Sequence, residues 1–258
     1  MTLPSPHPER DDLESVTIVV PVLDEAAALP GLLAELATAG VLDRAIFVDN
    51  GSRDDSAALI RKADARLLRE PRRGYGHACL RGVREARQGG ARVVVVMEGD
   101  GSDEPRDLAR LVRPVAGGAC DLMIGSRRAA VRRGARMPLH LRLGEWATVV
   151  ALRLLFGIRI PDNGPFRAIR GDLLDHLDME PRSYSWTTEM VVKAHLSGAR
   201  IGWCETGFRP RPGDSKISGT VRGTVGAAFG IFGSMARLRR SRFPRAPRRA
   251  AGQPSRPQ

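Results

Sequence analysis

Aromatic side chains are scarce in this sequence: they make up 5% of 258 residues, and two of them are tyrosines. Tyrosine and tryptophan do not interleave with the basic clusters, and no nucleic-acid motif is present. A nucleic-acid-binding protein is therefore the weaker reading despite a formal charge of +12. Lysine is nearly missing as well. It stands at positions 62, 193 and 216, so arginine carries the charge, clustered at 127–142 and again at 237–249. The three cysteines, Cys79, Cys120 and Cys204, lie far apart with no CxxC pair. They suggest neither a zinc site nor a disulfide framework, and they suit a reducing compartment. No stretch reaches about 18 uninterrupted apolar residues, so a conventional transmembrane helix is not expected. The opening MTLPSPHPERDDLES is polar and lacks the apolar core of a secretory leader. The GxGxxG fingerprint is absent too, and the first strand-to-helix turn, PVLDEAAAL, has no glycine, which argues against a nicotinamide dehydrogenase.

What is present is an ordinary apolar fraction, 42%, in a chain long enough for one large α/β domain with an appended tail. Val16–Val20 reads as a buried strand. Leu29, Leu32, Leu33 and Leu36 fall at helical spacing before Gly40. Ala45–Val48 is a second strand, closed by the turn-like Asp49-Asn50-Gly51-Ser52. A helix over 54–65, a strand at 66–69, a helix from Gly74 to about Gln88, the Val93 strand, a helix opening at Pro105 and a strand over 122–125 follow. This alternation implies a parallel sheet with helices on both faces, and ligands of such sheets bind beyond the carboxyl ends of the strands. After residue 130 the pattern changes. Long helices are expected over 140–156 and 187–197, a loop and short strand over 161–171, a strand near 200–205 and a Gly/Ser loop over 213–219. Residues 225–235 are apolar and glycine-rich, and residues 1–14 and the Pro/Arg/Ala-rich stretch from 236 to 258 are expected to be disordered.

The unusual residues sit at the predicted strand ends. Residues 93–105 read VVVVMEGDGSDEP: a buried strand that stops at Glu98-Gly99-Asp100. Two carboxylates one residue apart, beside Ser102, make an oxygen site for a hard divalent cation, which takes carboxylates and keeps positions open for water and phosphate. Asp49 is placed to accept from the N–H of a nucleobase, or to form the turn through its side chain. Asp24-Glu25 stands to contact a nucleoside or to cap the next helix. Gly74-Tyr75-Gly76 allows close approach of an anion at a helix start, with Arg72 and Arg73 beside it. Arg167, Lys216 and Glu189 are a loop arginine, a loop lysine and a helix-opening acid.

Taken in order, VTIVVPVLDE, FVDNGSRDDS, RGYGHACLRG, VVVVMEGDGSDEP, MIGSR, PFRAIR, TTEM and GDSKISG resemble the family-2 glycosyltransferases of the GT-A fold. The nearest branch is the dolichol-phosphate mannosyltransferase type, the polyprenyl-phosphate glycosyltransferases. The resemblance covers residues 16–235. It implies an α/β GT-A fold, a Rossmann-like, mostly parallel sheet flanked by helices. Residues 15–128 would form the nucleotide-sugar half, residues 129–235 the acceptor half, and a C-terminal amphipathic segment and basic tail would follow. The implied reaction moves one sugar, with inversion, from a nucleotide-diphosphate sugar (GDP-mannose or UDP-glucose type) to a polyprenyl phosphate. Pro21, Asp24, Glu25, Asp49, Gly74, Gly76, Gly99 and Arg127 would bind the nucleotide sugar. Glu98, Asp100 and Ser102 would hold Mg²⁺ or Mn²⁺. Asp100, Arg167, Glu189 and Lys216 are the implied catalytic set, Arg167 and Lys216 steering the acceptor phosphate and Glu189 serving either as a donor-sugar contact or as loop support. A site at the inner face of the cell membrane, cytoplasmic and peripheral, is implied. Residues 225–235 either lie at the lipid surface, with Phe229, Ile231, Phe232 and the following arginines, or form a packed C-terminal helix before a floppy basic tail. The chain departs from the pattern at Glu98, where the metal motif has Asp, and at Asn50, where VDDGS has Asp. The alternatives are a hydroxyl or other soluble acceptor, for which Glu189 would be the base, and a non-catalytic relative, for which Glu98 is the hint.

Overall fold

The computed structural model describes residues 15–135, 137, 139–181, 185–212, 221–240 and 243–244. Seven strands form one sheet: β1 (Val16–Val22), β2 (Ala45–Asp49), β3 (Arg66–Arg69), β4 (Val93–Val96), β5 (Leu122–Ser126), β6 (Arg167–Arg170) and β7 (Ile201–Glu205). Their order is β3-β2-β1-β4-β6-β5-β7. Every pairing is parallel except those of β6, which runs antiparallel to both β4 and β5. A wholly parallel sheet does not form because β6 does not arrive by a strand–helix–strand crossover. The chain leaves β5 for a long helical excursion and returns between β4 and β5 in the opposite direction, as mixed α/β sheets do.

The central strands read as unbroken apolar runs because both faces are covered. Val19, Val94, Val96 and Ile124 lie in one core with Val83, Met190, Val191 and Met235, while Ile18, Val20, Phe47 and Val95 lie in the other with Leu32, Leu36, Leu111 and Val112. Val94 and Val96 face one side and Val93 and Val95 the other, the two-residue period of a strand. The second core is roofed by α1 (Leu29–Thr38) and α4 (Leu108–Ala116), the first by α3 (Tyr75–Gln88), α6 (Leu139–Phe156), α7 (Gly171–Leu177), α8 (Trp186–Leu196) and α9 (Val221–Arg240). Two short helices, α2 (Ser56–Lys62) and α5 (Arg128–Arg132), complete the set among the described residues. Of these, α5 and α7 have no counterpart in the sequence reading, and the segment at Pro105 opens as a 3₁₀ turn (Pro105–Asp107) before α4.

The predicted arm, residues 1–14, lies outside the described residues. The predicted tail is not wholly unstructured. Helix α9 continues to Arg240 with Leu238 against the core, and Phe243 packs edge-on to His176, centroids 5.7 Å apart. Of the two readings of residues 225–235, Ile231 and Met235 fit the packed helix, since both face the core. Phe232 stays exposed, and the side chain of Phe229 is outside the described set.

Helix α3 reaches the sheet because Gly82 has no side chain. A Cβ there would overlap Val19 Cγ1 and stand 3.1 Å from Val48 Cγ2. Alanine normally gains about 1 kcal/mol over glycine inside a helix, but overpacking costs about 1–3 kcal/mol. Gly82→Ala is expected to lower the urea midpoint, and an unchanged or raised midpoint would show that α3 does not seat this closely.

Candidate active site

The carboxyl ends of β1, β2, β4 and β5 lie along one edge of the sheet, and their loops meet there. At the end of β1, Asp24 takes a left-handed backbone conformation, φ 51°. Its N–H donates to Ser52 Oγ (2.9 Å), its carboxylate accepts from the Arg53 N–H (2.5 Å), and the Glu25 N–H donates to Ser56 Oγ (2.8 Å). The pair therefore ties the β1 loop to the β2 loop. It does not cap α1, which has no acid in its first turn.

Asp49, at the end of β2, is 2% exposed. Its Oδ1 accepts from the Ser52 N–H at 2.9 Å, the side-chain turn expected of this residue, while Oδ2 stands 3.8 Å from Arg69 Nε. Asn50, noted in the sequence only as a departure, organises the next loop. Its Nδ2 donates to the carbonyls of Glu70 (2.9 Å) and Arg72 (2.8 Å), and its Oδ1 accepts from the Gly74 N–H (2.7 Å). An acid at this position has no N–H to give those carbonyls. Gly74 has φ 134° and Gly76 is buried in the first turn of α3. Arg72 does not face the cleft as a free phosphate contact. It donates to Glu70 (2.9 and 3.1 Å), and this bond holds the Glu70 carboxyl down at about 2. Arg73 donates to the Gly51 carbonyl at 2.9 Å.

The loop after β4 holds the acids. Gly99 passes so close to β1 that a Cβ would lie 2.9 Å from the Pro21 carbonyl oxygen. Asp100 Oδ1 accepts from the Ser102 N–H at 2.9 Å. Glu98 faces Arg127 Nη2 at 3.4 Å, and the same nitrogen donates to Asp103 Oδ1 at 2.6 Å. Burial, then the neighbouring Asp100, push the Glu98 carboxyl up to about 8 against the pull of Arg127. Burial opposes the Arg127 charge, but Asp103 and Glu98 outweigh it and hold that guanidinium protonated. Arg127 also stacks on Phe208, 5.0 Å from the ring centroid. Its backbone N–H donates to Asp162 Oδ2 (2.8 Å), which accepts from Ser126 Oγ as well (2.9 Å).

Arg211 enters the cleft from beyond β7. It is bonded to both oxygens of Glu25, at 2.8 and 3.1 Å, and lies 3.6 Å from Asp100 Oδ2. A positive group is thus already held between the β1 and β4 loops, where a divalent cation is expected. Every donor nearby is a hard oxygen. Among the described residues no three His, Cys, Asp or Glu side chains converge on a point, so a cation on Asp100 and Glu98 would keep positions free for phosphate and water. That donor set suits Mg²⁺ or Mn²⁺.

Two of the predicted residues stand elsewhere. Arg167 is fully buried. Its guanidinium donates to the carbonyls of Thr187 (2.8 Å), Asn163 (3.3 Å) and Gly164, and burial pulls its pKa down to about 10. In this position its guanidinium is spent on carbonyls and braces the loop before β6. Glu189 is 3% exposed, pairs with Lys193 Nζ at 2.7 Å and accepts from the Glu180 N–H at 3.0 Å. Of the two roles considered for it, loop support is the one its contacts fit. Lys216 lies outside the described residues. The sequence reading missed Asp103, Asp162, Arg211 and Glu145, whose carboxylate accepts from the Asn163 N–H. Asp103 was visible as the third acid of MEGDGSDEP. The others bond residues far away in the chain, which local pattern does not reveal.

A family model described as Glycosyl transferase family 2 matches residues 17–177. The chain is 35% identical over 213 residues to an uncharacterized glycosyltransferase of Mycobacterium tuberculosis, spanning 82% of this chain and 94% of that one. It is 30% identical over 222 residues to the undecaprenyl-phosphate mannosyltransferase of Micrococcus luteus, spanning 81% and 89%. The glucosyl-3-phosphoglycerate synthase of Mycobacterium tuberculosis was solved with Mn²⁺, uridine-diphosphate-glucose and phosphoglyceric acid. It superposes with a TM-score of 0.68 at 19% identity, over 86% of this chain and 80% of that one. The shared architecture is the GT-A fold.

Proposed function

The chain belongs to glycosyl transferase family 2, and on that premise we propose that it moves one sugar from a nucleotide-diphosphate sugar to the phosphate of a polyprenyl lipid. The observation that carries the donor half is the meeting of the Glu98–Asp103 acids with Arg127 and Arg211 at one sheet edge. Asp49, at the mouth of β2, receives the nucleobase. Gly74 and Gly99 allow the backbone to approach the nucleotide. Asp100, assisted by Glu98, holds the divalent cation, and that cation supplies positive charge for the departing nucleoside diphosphate. Arg127 keeps Glu98 and Asp103 from repelling the donor. Arg211 is within reach of the same place and adds a guanidinium for the diphosphate oxygens.

The acceptor half is supported by the undecaprenyl-phosphate mannosyltransferase relative. The contacts of Glu189, among the described residues, bear on the alternative acceptor. A hydroxyl acceptor needs a base, and Glu189, the candidate for that task, is bound to Lys193 and to the Glu180 backbone. A lipid phosphate is anionic at neutral pH and attacks without one. The loop over 161–164 is held by Glu145 and Arg167, and on this reading it borders the acceptor.

A panel of acceptors tests the assignment. Purified chain, Mn²⁺ and a mixture of UDP- and GDP-sugars are expected to release nucleoside diphosphate rapidly with a detergent-dispersed polyprenyl phosphate and only at the background hydrolysis rate with 3-phosphoglycerate. Faster release with the soluble phosphate would replace the lipid by a small phosphorylated acceptor.

A further inference from the structure

Helix α6 leaves a stripe of large apolar side chains uncovered. Leu139, Leu143, Trp146 and Leu154 are 67%, 58%, 64% and 77% exposed. With the half-buried Val150 they fall at 3.6-residue spacing on one side of the helix, a row about 22 Å long at 1.5 Å per residue. The stripe is flanked by Arg142 and Arg153, both exposed. The helix contains one acid, Glu145, and this is turned to the opposite side, onto the Asn163 N–H. Thr148 and Leu152, on that same side, are buried. An apolar face with a tryptophan, edged by arginine and free of carboxylates, is the pattern of a helix that lies in a lipid interface. Among the described residues no helix is long and apolar enough to cross a membrane, so contact with lipid has to be made along a surface.

We propose that the outer face of α6 docks on an anionic lipid surface, with Leu139, Leu143, Trp146 and Leu154 among the acyl chains and Arg142 and Arg153 at the headgroups. The charge complementarity decides the occupant: two arginines with no acid bonded to either among the described residues favour phosphate headgroups over a second copy of this +12 chain. The position agrees. The inner face of the same helix, through Glu145, bonds the Asn163 N–H of the loop before β6. If that loop borders the acceptor, a lipid phosphate meets the site where the protein meets the bilayer. This last link rests on the polyprenyl-phosphate reading; the surface itself does not. It adds α6 as a lipid contact that the sequence did not point to.

The test is flotation of the full chain with vesicles of phosphatidylcholine alone and of phosphatidylcholine mixed with phosphatidylglycerol. Binding is expected to the mixed vesicles, falling as salt rises. The combined variant Leu143→Gln, Trp146→Gln, Leu154→Gln is expected to lose at least about tenfold in vesicle affinity, with its thermal midpoint and nucleotide affinity unchanged. Wild-type chain that stays at the bottom of the gradient, or a variant that floats as well as wild type, overturns the proposal. So does a doubled mass in lipid-free solution that the variant returns to monomer, because the stripe is then a contact between copies. If the triple variant does not fold, Trp203→Phe removes the other exposed tryptophan. Emission from this chain should then shift blue on the mixed vesicles and be quenched by brominated lipid, and an unshifted spectrum overturns the proposal. Sugar transfer separates the two claims. Loss of flotation in the variant, with no transfer to polyprenyl phosphate even in detergent, leaves the surface standing and removes the acceptor reading. Transfer in detergent that the variant also carries out undiminished on vesicles does the reverse.

Discussion

Replacing Asp100 by Asn is expected to lower sugar-transfer turnover by about 10²–10³-fold, the cost of removing one preorganised group from developing charge. The exchange is close to isosteric, and Asn Oδ1 can still accept from the Ser102 N–H at 2.9 Å, so the loop should keep its course. What disappears is a negative charge placed between the ends of β1 and β4, facing a guanidinium at 3.6 Å. Glu98 is a poor substitute for it. Burial pushes its carboxyl up even without the Asp100 charge, and its own nearest positive group is Arg127. The variant should therefore lose both rate and the stabilisation that Mn²⁺ confers in the presence of nucleoside diphosphate, read as the shift in thermal midpoint. Turnover within tenfold of wild type, with metal dependence unchanged, would remove Asp100 from the cation site.

The second large effect is one of stability. Arg167→Met keeps side-chain length but removes the donors that the carbonyls of Asn163, Gly164 and Thr187 accept from. Burying unsatisfied carbonyls costs about 1–3 kcal/mol each, against which stands the relief of no longer burying a charge that has no carboxylate bonded to it. The balance expected is a loss of about 3 kcal/mol, or roughly 2–4 °C per kcal/mol in a chain of this size. In urea titrations at 25 °C the midpoint should fall while the slope holds. At temperatures where the variant stays folded, KM for the acceptor should move little. An unchanged midpoint with a raised acceptor KM would put Arg167 back in contact with substrate.

These two residues mark how far the sequence could be read. The place of Asp100 at a strand end was legible because its signal is local: four valines that need cover on both faces, then acid–glycine–acid where the ladder stops. The place of Asp49 was legible for the same reason. The burial of Arg167 was not. In PFRAIR nothing separates a loop arginine from one sealed between two strands, and β6 is sealed only because the chain turns back between β4 and β5. Glu189 is an intermediate case. The spacing to Lys193, one helical turn on, is visible in the sequence, but the burial that makes the pair structural is set by the segment at 178–180. Arg211 is the most distant case. Its partners Glu25 and Asp100 precede it by more than a hundred residues and have no pattern in common with it. The long helix over 140–156 was expected from its apolar residues, yet the sequence alone did not tell that Leu143, Trp146 and Leu154 would remain uncovered. That depends on Glu145, Thr148 and Leu152 claiming the inward side.

The central claim is that the cleft couples a cation-bound nucleotide sugar to a lipid phosphate. Mass spectrometry of polyprenyl phosphate, incubated with the chain and a mixture of UDP- and GDP-sugars, measures it directly. The expected result is a lipid heavier by one sugar when Mn²⁺ is present and unmodified when EDTA is added. A lipid left unmodified with every donor, or modified equally with EDTA, would contradict it.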